Sequence, residues 1–357
     1  MNDFYKNKKV LITGHTGFKG SWLVQILLNL GADIVGVSLP VETTPNLFDI
    51  LRFDSNKHIK NYFADIRDFK KMKEIFEAEK PEIVFHLAAQ AIVRSSYDDP
   101  LKTITTNVEG TANILQAAKE VEGVKSVVII TTDKVYENKE WHHAYRENDP
   151  LGGYDPYSAS KAGADIVANS YIQSFFNPKD FKEKHNTLVA IARAGNVIGG
   201  GDWAEYRLIP DIIRSIYEKK EKIESRNPQS VRPWQHVMEP LSGYMMLAQG
   251  LYEGKSDLSG AWNFGPNNES FVSVNDLIDE AIRILDDGVH ETKADNSKHE
   301  AALLRLDINK ASALLKWQPR LNFKSTLEIT FSWYKNYYEK SEDVVEFTNR
   351  QISEFFK

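Results

Sequence analysis

Five short runs of apolar and β-branched residues, separated by segments with helical spacing, constrain the fold of this chain most strongly. The runs cover residues 9–13, 33–39, 82–87, 126–131 and 187–193. Within them apolar residues do not alternate with polar ones, so each run predicts a strand that is buried on both faces. Alternation of such strands with helices predicts a doubly wound parallel α/β sheet with right-handed crossovers.

The helical patterns divide the chain into two parts. In the first half they cover residues 21–30, 69–80, 107–119 and 157–176. After about residue 195, Gly, Pro, Trp and Asn become frequent, and helical patterns follow at 210–219, 241–252, 274–285, 310–315 and 325–339. We therefore predict a sheet domain over residues 1–194, to which segments around 233–265 return, and a smaller, mostly helical lobe over 195–357.

A glycine-rich turn joins the first strand to the first helix. Gly14, Gly17 and Gly20 have the spacing GxxGxxG. Glycines there allow a tight turn, close approach of the backbone to a pyrophosphate and close packing of helix on strand. The N-terminus of the helix then presents free N–H groups to the phosphates. This context predicts a Rossmann-type dinucleotide site. Its expected contacts in the turn also include Thr16, Phe18 and Lys19.

Three later segments are expected to complete the dinucleotide site. Ser38 ends the second strand, where no carboxylate repels a 2′-phosphate and no arginine attracts one, so NAD is preferred over NADP. The Asp65 carboxylate is placed to accept the adenine amino group, with an ordinary helix N-cap as the alternative. Small residues after the strand at 82–87 let a flat ligand lie against the backbone, unless they serve only tight packing. The contacts expected here are Ile66, Leu87, Ala88, Ala89 and Gln90.

Tyr157 and Lys161 place a phenol and an ammonium four residues apart, on one face of the predicted helix at 157–176. The ammonium is expected to lower the pKa of the phenol from about 10. Such a tyrosine can remove a hydroxyl proton while a hydride leaves the same carbon, and the lysine can also hold the nicotinamide ribose. Thr132, at the carboxyl end of a strand, can bond to the substrate oxygen that becomes a carbonyl.

Hydride transfer does not require the adjacent residues Asp133 and Lys134. Elimination of water needs an acid beside a base, because one group protonates the leaving hydroxyl and the other removes a C–H proton. The alternative is a solvated pair at the end of a strand. No metal site is expected, because the chain has no cysteine and the pair His142 and His143 has no carboxylate at ligand spacing.

Composition excludes several other classes of function. Lys and Arg number 44 against 50 Asp and Glu, a formal net charge of −6. This balance gives no reason to expect binding to nucleic acid or to an anionic membrane. No run of about 18 apolar residues predicts a membrane span, and Thr13 and Gly14 interrupt the first apolar stretch, so no signal peptide is expected. A cytoplasmic protein acting on a small molecule is expected.

Longer strings around these residues resemble the extended short-chain dehydrogenase/reductase superfamily, and within it the CDP-glucose 4,6-dehydratases. They are TGHTGFKGSWL from Thr13, TTDKVYEN from Thr131, YDPYSASK from Tyr154, RAGNVIGGGDW from Arg193, LIPD from Leu208 and RPWQHV from Arg232. In that superfamily, epimerases usually carry small residues in place of the Asp–Lys pair, and dTDP- and GDP-sugar dehydratases carry Asp–Glu. Lys134 is the feature that points to the CDP-glucose group.

The resemblance implies a redox-neutral dehydration of CDP-glucose to its 4-keto-6-deoxy product on a tightly held NAD. Tyr157 would deprotonate the 4-hydroxyl and Asp133 would protonate the departing 6-hydroxyl. Lys134 is the implied base for the C5 proton, provided that burial or Lys161 lowers its pKa from about 10.4; otherwise it acts only electrostatically beside another base. A homodimer or homotetramer is also implied. The alternatives are another sugar-nucleotide dehydratase or 4-epimerase, and a dinucleotide-binding protein without turnover.

Substrate contacts are expected from the later, loop-rich region. Arg207 and Arg232 can clamp the pyrophosphate of a sugar nucleotide, with surface salt bridges as the alternative. Asn196 can bond to sugar or phosphate, or serve as a turn residue beside Gly195. The remaining expected contacts are Leu208 and His236, although a lone histidine is more often structural.

Overall fold

A seven-stranded parallel sheet forms the centre of the molecule in the computed structural model, which describes residues 3–225, 227–292 and 304–357. The strands, numbered β1 to β13 in chain order, are Lys9–Thr13, Asp33–Ser38, Ile59–Phe63, Ile83–His86, Ser126–Ile130, Leu188–Ala194, Val197–Ile198, Ile223–Ser225, Val231–Pro233, Gln235–His236, Gly260–Phe264, Phe271–Ser273 and His290–Thr292. The central sheet has the order β11–β6–β5–β4–β1–β2–β3, and every pairing in it is parallel.

Helices cover both faces of this sheet. They are numbered α1 to α12 in chain order: Phe18–Asn29, Leu47–Ile50, Phe69–Glu79, Val93–Asp98, Pro100–Ile104, Gly110–Glu120, Pro156–Ser174, Leu208–Ile213, Met238–Tyr252, Val274–Leu285, Phe323–Glu339 and Val344–Phe356. Single π-helical turns occupy Thr105–Glu109, Arg214–Lys219 and Ala311–Leu315. Among the described residues, no helix is both long enough and apolar enough to span a membrane.

Successive residues of the central strands belong to different cores. Val10 and Ile12 of β1 pack in a core with residues of α1, α9 and α11, whereas Leu11 packs in a second core with residues of α3, α6 and α7. In β5, Val128 lies in the first core and Val127 in the second. A strand with both faces covered needs apolar residues throughout, which explains the uninterrupted runs in the sequence. The predicted doubly wound α/β fold is confirmed.

The C-terminal half contributes to both the sheet and a smaller set of elements beside it. Strand β11 pairs with β6 at the edge of the sheet, and α9 packs against β5 and β6. Helices α8, α10, α11 and α12 accompany three two-stranded sheets, β10–β7, β12–β9 and β13–β8. The division at residue 194 stays a prediction.

Candidate active site

The carboxyl ends of the central strands open into a cleft of about 1360 Å³. A cleft of this size exceeds the usual small-ligand pocket and can hold two ligands side by side. The predicted cofactor, catalytic and substrate residues all line it except His236. Residues that lie far apart in the sequence therefore meet at one edge of the sheet, as open α/β sheets require.

The glycine turn has the geometry that a pyrophosphate needs. Gly14 has φ +75°, and a Cβ atom on it would lie 2.7 Å from the backbone nitrogen of Ala88. A Cβ atom on Gly20 would lie 2.1 Å from the carbonyl oxygen of Gly14. Gly17 is the N-cap of α1, and no side chain bonds to the first turn there. The N–H groups of this helix end therefore face the cleft and fit a phosphate anion.

Polar residues extend the dinucleotide site along the ends of β2 and β3. The hydroxyls of Thr16 and Ser38 are 2.7 Å apart. Arg67 donates to Asp65 through Nη2 at 2.6 Å and through Nε at 3.1 Å, and these bonds lower the pKa of the carboxyl. Asp68, not Asp65, caps α3, so the N-cap alternative for Asp65 is wrong. Ile66 is buried at the wall of the cleft beside Asp65.

The segment from Leu87 to Gln90 is fixed from below by two side chains. Thr13 accepts the backbone N–H of Ala88 at 3.1 Å. Asn107 accepts the backbone N–H of Gln90 at 2.8 Å and donates to its carbonyl at 3.0 Å. These bonds hold the backbone of the segment against the cleft. Asn107 was not predicted, because it lies at the start of a helical pattern without any local sign of a site.

Thr132, Asp133 and Tyr157 converge in the cleft. The Thr132 hydroxyl donates to Asp133 Oδ1 at 2.9 Å, and Tyr157 forms a hydrogen bond with Thr132. Burial raises the pKa of Tyr157 to about 12, although the bond with Thr132 opposes the rise. The predicted lowering by Lys161 is therefore wrong for this structure. The Lys161 ammonium donates instead to the carbonyl of Ile130 at 2.8 Å. Burial is the largest influence on the pKa of the phenol.

Lys161 and Lys19 both lie close to the catalytic residues, and both have lowered pKa values. Burial lowers the pKa of Lys161 to about 8, with the Asp165 charge opposing it. The pKa of Lys19 is lowered to about 7, first by burial and then by the charges of Arg207 and Lys161, whereas Asp133 raises it. Lys19 was predicted only as a cofactor contact of the turn. The structure directs its ammonium toward the catalytic residues as well.

Asp133 and Lys134 differ in their surroundings. The Asp133 side chain is 5% exposed and that of Lys134 is 29% exposed, with Nζ of the lysine 3.8 Å from Oδ1 of the aspartate. A Cβ atom on Gly195 would lie 3.2 Å from the other carboxylate oxygen, so a glycine there leaves room for the acid. A solvated pair at the end of a strand does not describe a buried carboxylate, so we reject that alternative for Asp133.

The predicted substrate residues occupy the side of the cleft nearest the C-terminal segments. Asn196 follows β6, Leu208 begins α8, and Arg232 lies on β9. Arg207 forms a salt bridge with Asp202, Nη1 to Oδ2 at 2.9 Å, and this charge raises the pKa of the guanidinium. Arg207 therefore enters the cleft with a fixed orientation. Asp202 was not predicted, although it belongs to the string GGGDW in the sequence.

His236 does not reach the cleft, so its predicted contact with substrate is wrong. The residue is fully buried, its ring lies 5.5 Å from that of Trp22, and its Nδ1 accepts the backbone N–H of Met238. Burial lowers its pKa to about 3. The short β10–β7 pairing places this side chain beneath the cleft wall. It is a structural histidine.

Asp155 is a further residue of the site that was not predicted. Its carboxylate accepts the backbone N–H of Ser158 at 2.9 Å and the Ser158 hydroxyl at 2.6 Å, and so caps α7. The sequence Asp155-Pro156 is a typical helix start and would have identified it. This cap fixes the first turn of α7, which carries Tyr157.

Comparisons with known proteins identify the family and the fold. The model of the GDP-mannose 4,6-dehydratase family matches residues 11–330. The chain is 47% identical to the CDP-glucose 4,6-dehydratase of Salmonella typhimurium, over 99% of its own length and 97% of that relative. It is 27% identical to the dTDP-glucose 4,6-dehydratase of Haemophilus influenzae, over 91% of its length and 95% of that relative. The structure of DesIV, a dTDP-glucose 4,6-dehydratase from Streptomyces venezuelae with NAD and TYD bound, matches with a TM-score of 0.78 at 25% identity and covers 94% of this chain and 99% of that one.

The parallel sheet, the glycine turn and the tyrosine–lysine helix define an enzyme of the extended short-chain dehydrogenase/reductase superfamily. Both the family model and the close relative cover nearly all of the chain. The chain belongs to the GDP-mannose 4,6-dehydratase family. The family resemblance seen in the motifs is thus confirmed.

Proposed function

We propose that this protein is an NAD-dependent CDP-glucose 4,6-dehydratase, which converts CDP-glucose to CDP-4-keto-6-deoxyglucose and water. The convergence of Thr132, Tyr157 and the buried Asp133 in one cleft carries the proposal. Oxidation at C4 needs the alcohol and the phenol, whereas loss of water needs an added acid. The 47% identity to a CDP-glucose 4,6-dehydratase and the lysine at position 134 support cytidine as the nucleoside.

NAD fits the glycine-lined end of the cleft. The Gly14 to Gly20 turn and the open N-terminus of α1 would hold the pyrophosphate. Ser38 and Thr16 would face the adenosine ribose, Asp65 the adenine amino group, and Lys161 the nicotinamide ribose. Bound NAD⁺ would supply the acceptor for the C4 hydride and later the donor that returns it to C6.

Oxidation of C4 depends on a proton transfer to Tyr157. The phenol is held by the rigid first turn of α7 and bonded to Thr132, so the 4-hydroxyl of the sugar meets an acceptor and a donor at fixed positions. The raised pKa of the buried phenol makes it a strong base once it is ionised. The charge of Arg207 lowers this pKa and thereby favours the ionised form.

Elimination of water then requires Asp133 and Lys134, which lie on the turn after β5. The 4-ketone acidifies the C5 proton, and Asp133 in its protonated form would donate to the departing 6-hydroxyl. The Thr132 hydroxyl orients that carboxyl at 2.9 Å. Lys134 in its neutral form, on the more exposed side of the pair, is the proposed base for the C5 proton. The C5–H and C6–O bonds break to give a C5–C6 double bond and one water. The hydride returned to C6, with a proton at C5, saturates this double bond and leaves the ketone at C4.

Incubation with nucleotide sugars tests this proposal. CDP-glucose should yield a product lighter by one water whose 4-ketone absorbs near-ultraviolet light in alkali, and dTDP-, GDP- and UDP-linked hexoses should react far more slowly. The Tyr157→Phe protein is the matched control and should form product about 10³-fold more slowly. Turnover of another nucleotide sugar in preference to CDP-glucose would contradict the assignment of the substrate, and epimer formation without loss of water would contradict the assignment of the reaction.

We further propose that the enzyme is a homodimer or homotetramer that works in the cytoplasm. Helices α5 and α6 both pack against α7, and α5 and α7 expose large apolar side chains. Leu101 is 74% exposed and Ile166 is 56% exposed. A second copy of the chain would cover this face. Analytical ultracentrifugation should show a dimer or larger species, and Ile166→Glu should shift it toward the monomer; a monomeric native protein would contradict the proposal.

A further inference from the structure

A buried hydrogen-bond network beneath the catalytic residues has no role in the mechanism above. Arg193 is 3% exposed as a residue. Its guanidinium donates to both oxygens of Asp165, through Nη2 at 2.7 Å and Nε at 2.8 Å. Its Nη1 donates to the Tyr136 hydroxyl at 2.8 Å and to the carbonyl of Glu147 at 3.0 Å. The Tyr136 hydroxyl donates in turn to Asn263 at 2.7 Å. One guanidinium thus connects α7, β6, β11 and the turn after β5.

The first arm of this network reaches the oxidation residues. Asp165 lies one helical turn after Lys161 on α7 and accepts the hydroxyl of Thr131, the residue before Thr132, at 3.2 Å. Its negative charge favours the ammonium form of Lys161. Neither Asp165 nor Arg193 lines the cleft, so neither touches the substrate. Their effect on the reaction passes through Lys161 and Thr132.

The second arm reaches the elimination residues. Tyr136 immediately follows the single 3₁₀ turn Asp133–Val135, which carries Asp133 and Lys134. Tyr136 is one of the residues at the cleft wall, is only 1% exposed, and has its hydroxyl engaged by Arg193 and Asn263. A one-turn helix has little rigidity of its own. The anchored phenol therefore helps to fix the turn, together with the backbone bond from Gly152 N–H to the Val135 carbonyl at 2.8 Å.

We infer that Arg193 is a positioning residue that aligns the two halves of the reaction, holding the oxidation residues through Asp165 and the elimination residues through Tyr136. The inference rests on the proposed function. A buried ion pair contributes little net stability relative to apolar residues of similar volume, so stability alone does not account for this one. The planar fork of an arginine fixes the orientation of both partners, which a lysine ammonium does not.

Single-turnover kinetics on the full-length NAD-loaded protein separates the two arms. Formation of NADH reports oxidation, and its loss reports the steps after elimination. In Tyr136→Phe we expect NADH formation within about twofold of wild type and NADH loss slowed by about tenfold or more, since small misplacement of reacting groups costs rates of that order. Tyr171→Phe is the matched control. It removes a phenol hydroxyl from α7 that bonds to Gln116 at 3.0 Å, outside the cleft, and should leave both rates unchanged.

The complementary variant is Asp165→Asn. It should slow NADH formation by about tenfold and move the alkaline limb of the pH profile for oxidation to lower pH, because Lys161 loses the charge that favours its ammonium form. Tyr136→Phe should leave that limb in place. Arg193→Lys, which keeps the charge and loses the fork, should slow both steps while retaining NAD.

The outcome that overturns the inference is equal slowing of both steps in Tyr136→Phe with a matching loss of thermal stability, or no effect in any of the three variants. The nucleotide sugar used is the one that the wild-type protein turns over. If that sugar is not CDP-glucose, the proposed substrate is wrong, and the same variants still test the network with the sugar that reacts.

Discussion

Replacing Glu239 by glutamine should stabilise the folded protein above neutral pH and leave its stability in acid nearly unchanged. The Glu239 side chain, on the first turn of α9, is 1% exposed. Its Oε1 accepts the backbone N–H groups of Arg320 and Leu321 at 2.8 and 2.6 Å. Its Oε2 is buried and has no hydrogen-bond partner among the described residues. Burial raises the pKa of this carboxyl from 4.5 to about 7.

The sign and size of the effect come from this shift. The folded state holds the proton more tightly than the unfolded chain, so the stability that the group contributes is complete below pH 4.5 and is lost as the pH rises through about 7. One unit of pKa corresponds to about 1.4 kcal/mol, so the ionised carboxylate lowers the free energy of unfolding by about 3 kcal/mol. Glutamine keeps an oxygen for both N–H groups and carries no charge, so it avoids this loss.

Urea denaturation at a series of pH values measures the effect, with tryptophan fluorescence and far-ultraviolet circular dichroism as probes. The free energies of wild type and Glu239→Gln should agree in acid and differ by about 3 kcal/mol in alkali. Glu239→Ala is the control: it removes the acceptor for two buried N–H groups and should destabilise the protein at every pH. A difference between wild type and Glu239→Gln that does not change with pH would refute the reasoning.

Three further predictions concern the cleft. Asp133→Asn should still oxidise C4 but lose the acid for the 6-hydroxyl, so NADH should accumulate without dehydrated product in absorbance and mass measurements; full product formation would show that another group is the acid. Tyr157→Phe should lower turnover by about 10³-fold while the affinity for NAD, measured by calorimetric titration, stays within about threefold; a weakly impaired enzyme would contradict the role of the phenol. Gly20→Ala should weaken NAD binding by at least about tenfold, because its Cβ atom would meet the Gly14 carbonyl oxygen at 2.1 Å and force the turn open. Unchanged affinity in the same titration would mean that this turn does not set the cofactor site.

The fold could be predicted from sequence because its strands are buried on both faces and their apolar runs are uninterrupted. The strand Ile59–Phe63 was missed for the complementary reason. It lies at the edge of the sheet, its residues are half-buried or exposed, and Lys60 and Asn61 break its apolar pattern. The π-helical turn Thr105–Glu109 could not be predicted either, because it does not change the spacing of apolar residues in a recognisable way.

The site was less completely predictable, because local motifs do not report the surroundings of a side chain. The glycine turn and the Tyr157–Lys161 pair carry their chemistry in short spacings, so the sequence identified them. The direction of the pKa shift of Tyr157 depends on burial, which no local pattern contains. For the same reason His236, in a string that resembles the family, was placed in the cleft although the fold buries it below.

The residues for oxidation and the residues for elimination lie on separate secondary-structure elements. Tyr157 and Lys161 lie on α7, a helix of 19 residues capped by Asp155, whereas Asp133 and Lys134 lie on one 3₁₀ turn at the end of β5. A change at the second position of that turn can therefore alter the elimination step while the helix that carries oxidation stays the same. Hydrogen bonds through Thr132 and through the buried Arg193 network connect α7 to the 3₁₀ turn. Part of the alignment between the helix and the turn therefore comes from residues outside the cleft. The buried Arg193 is placed to provide this alignment.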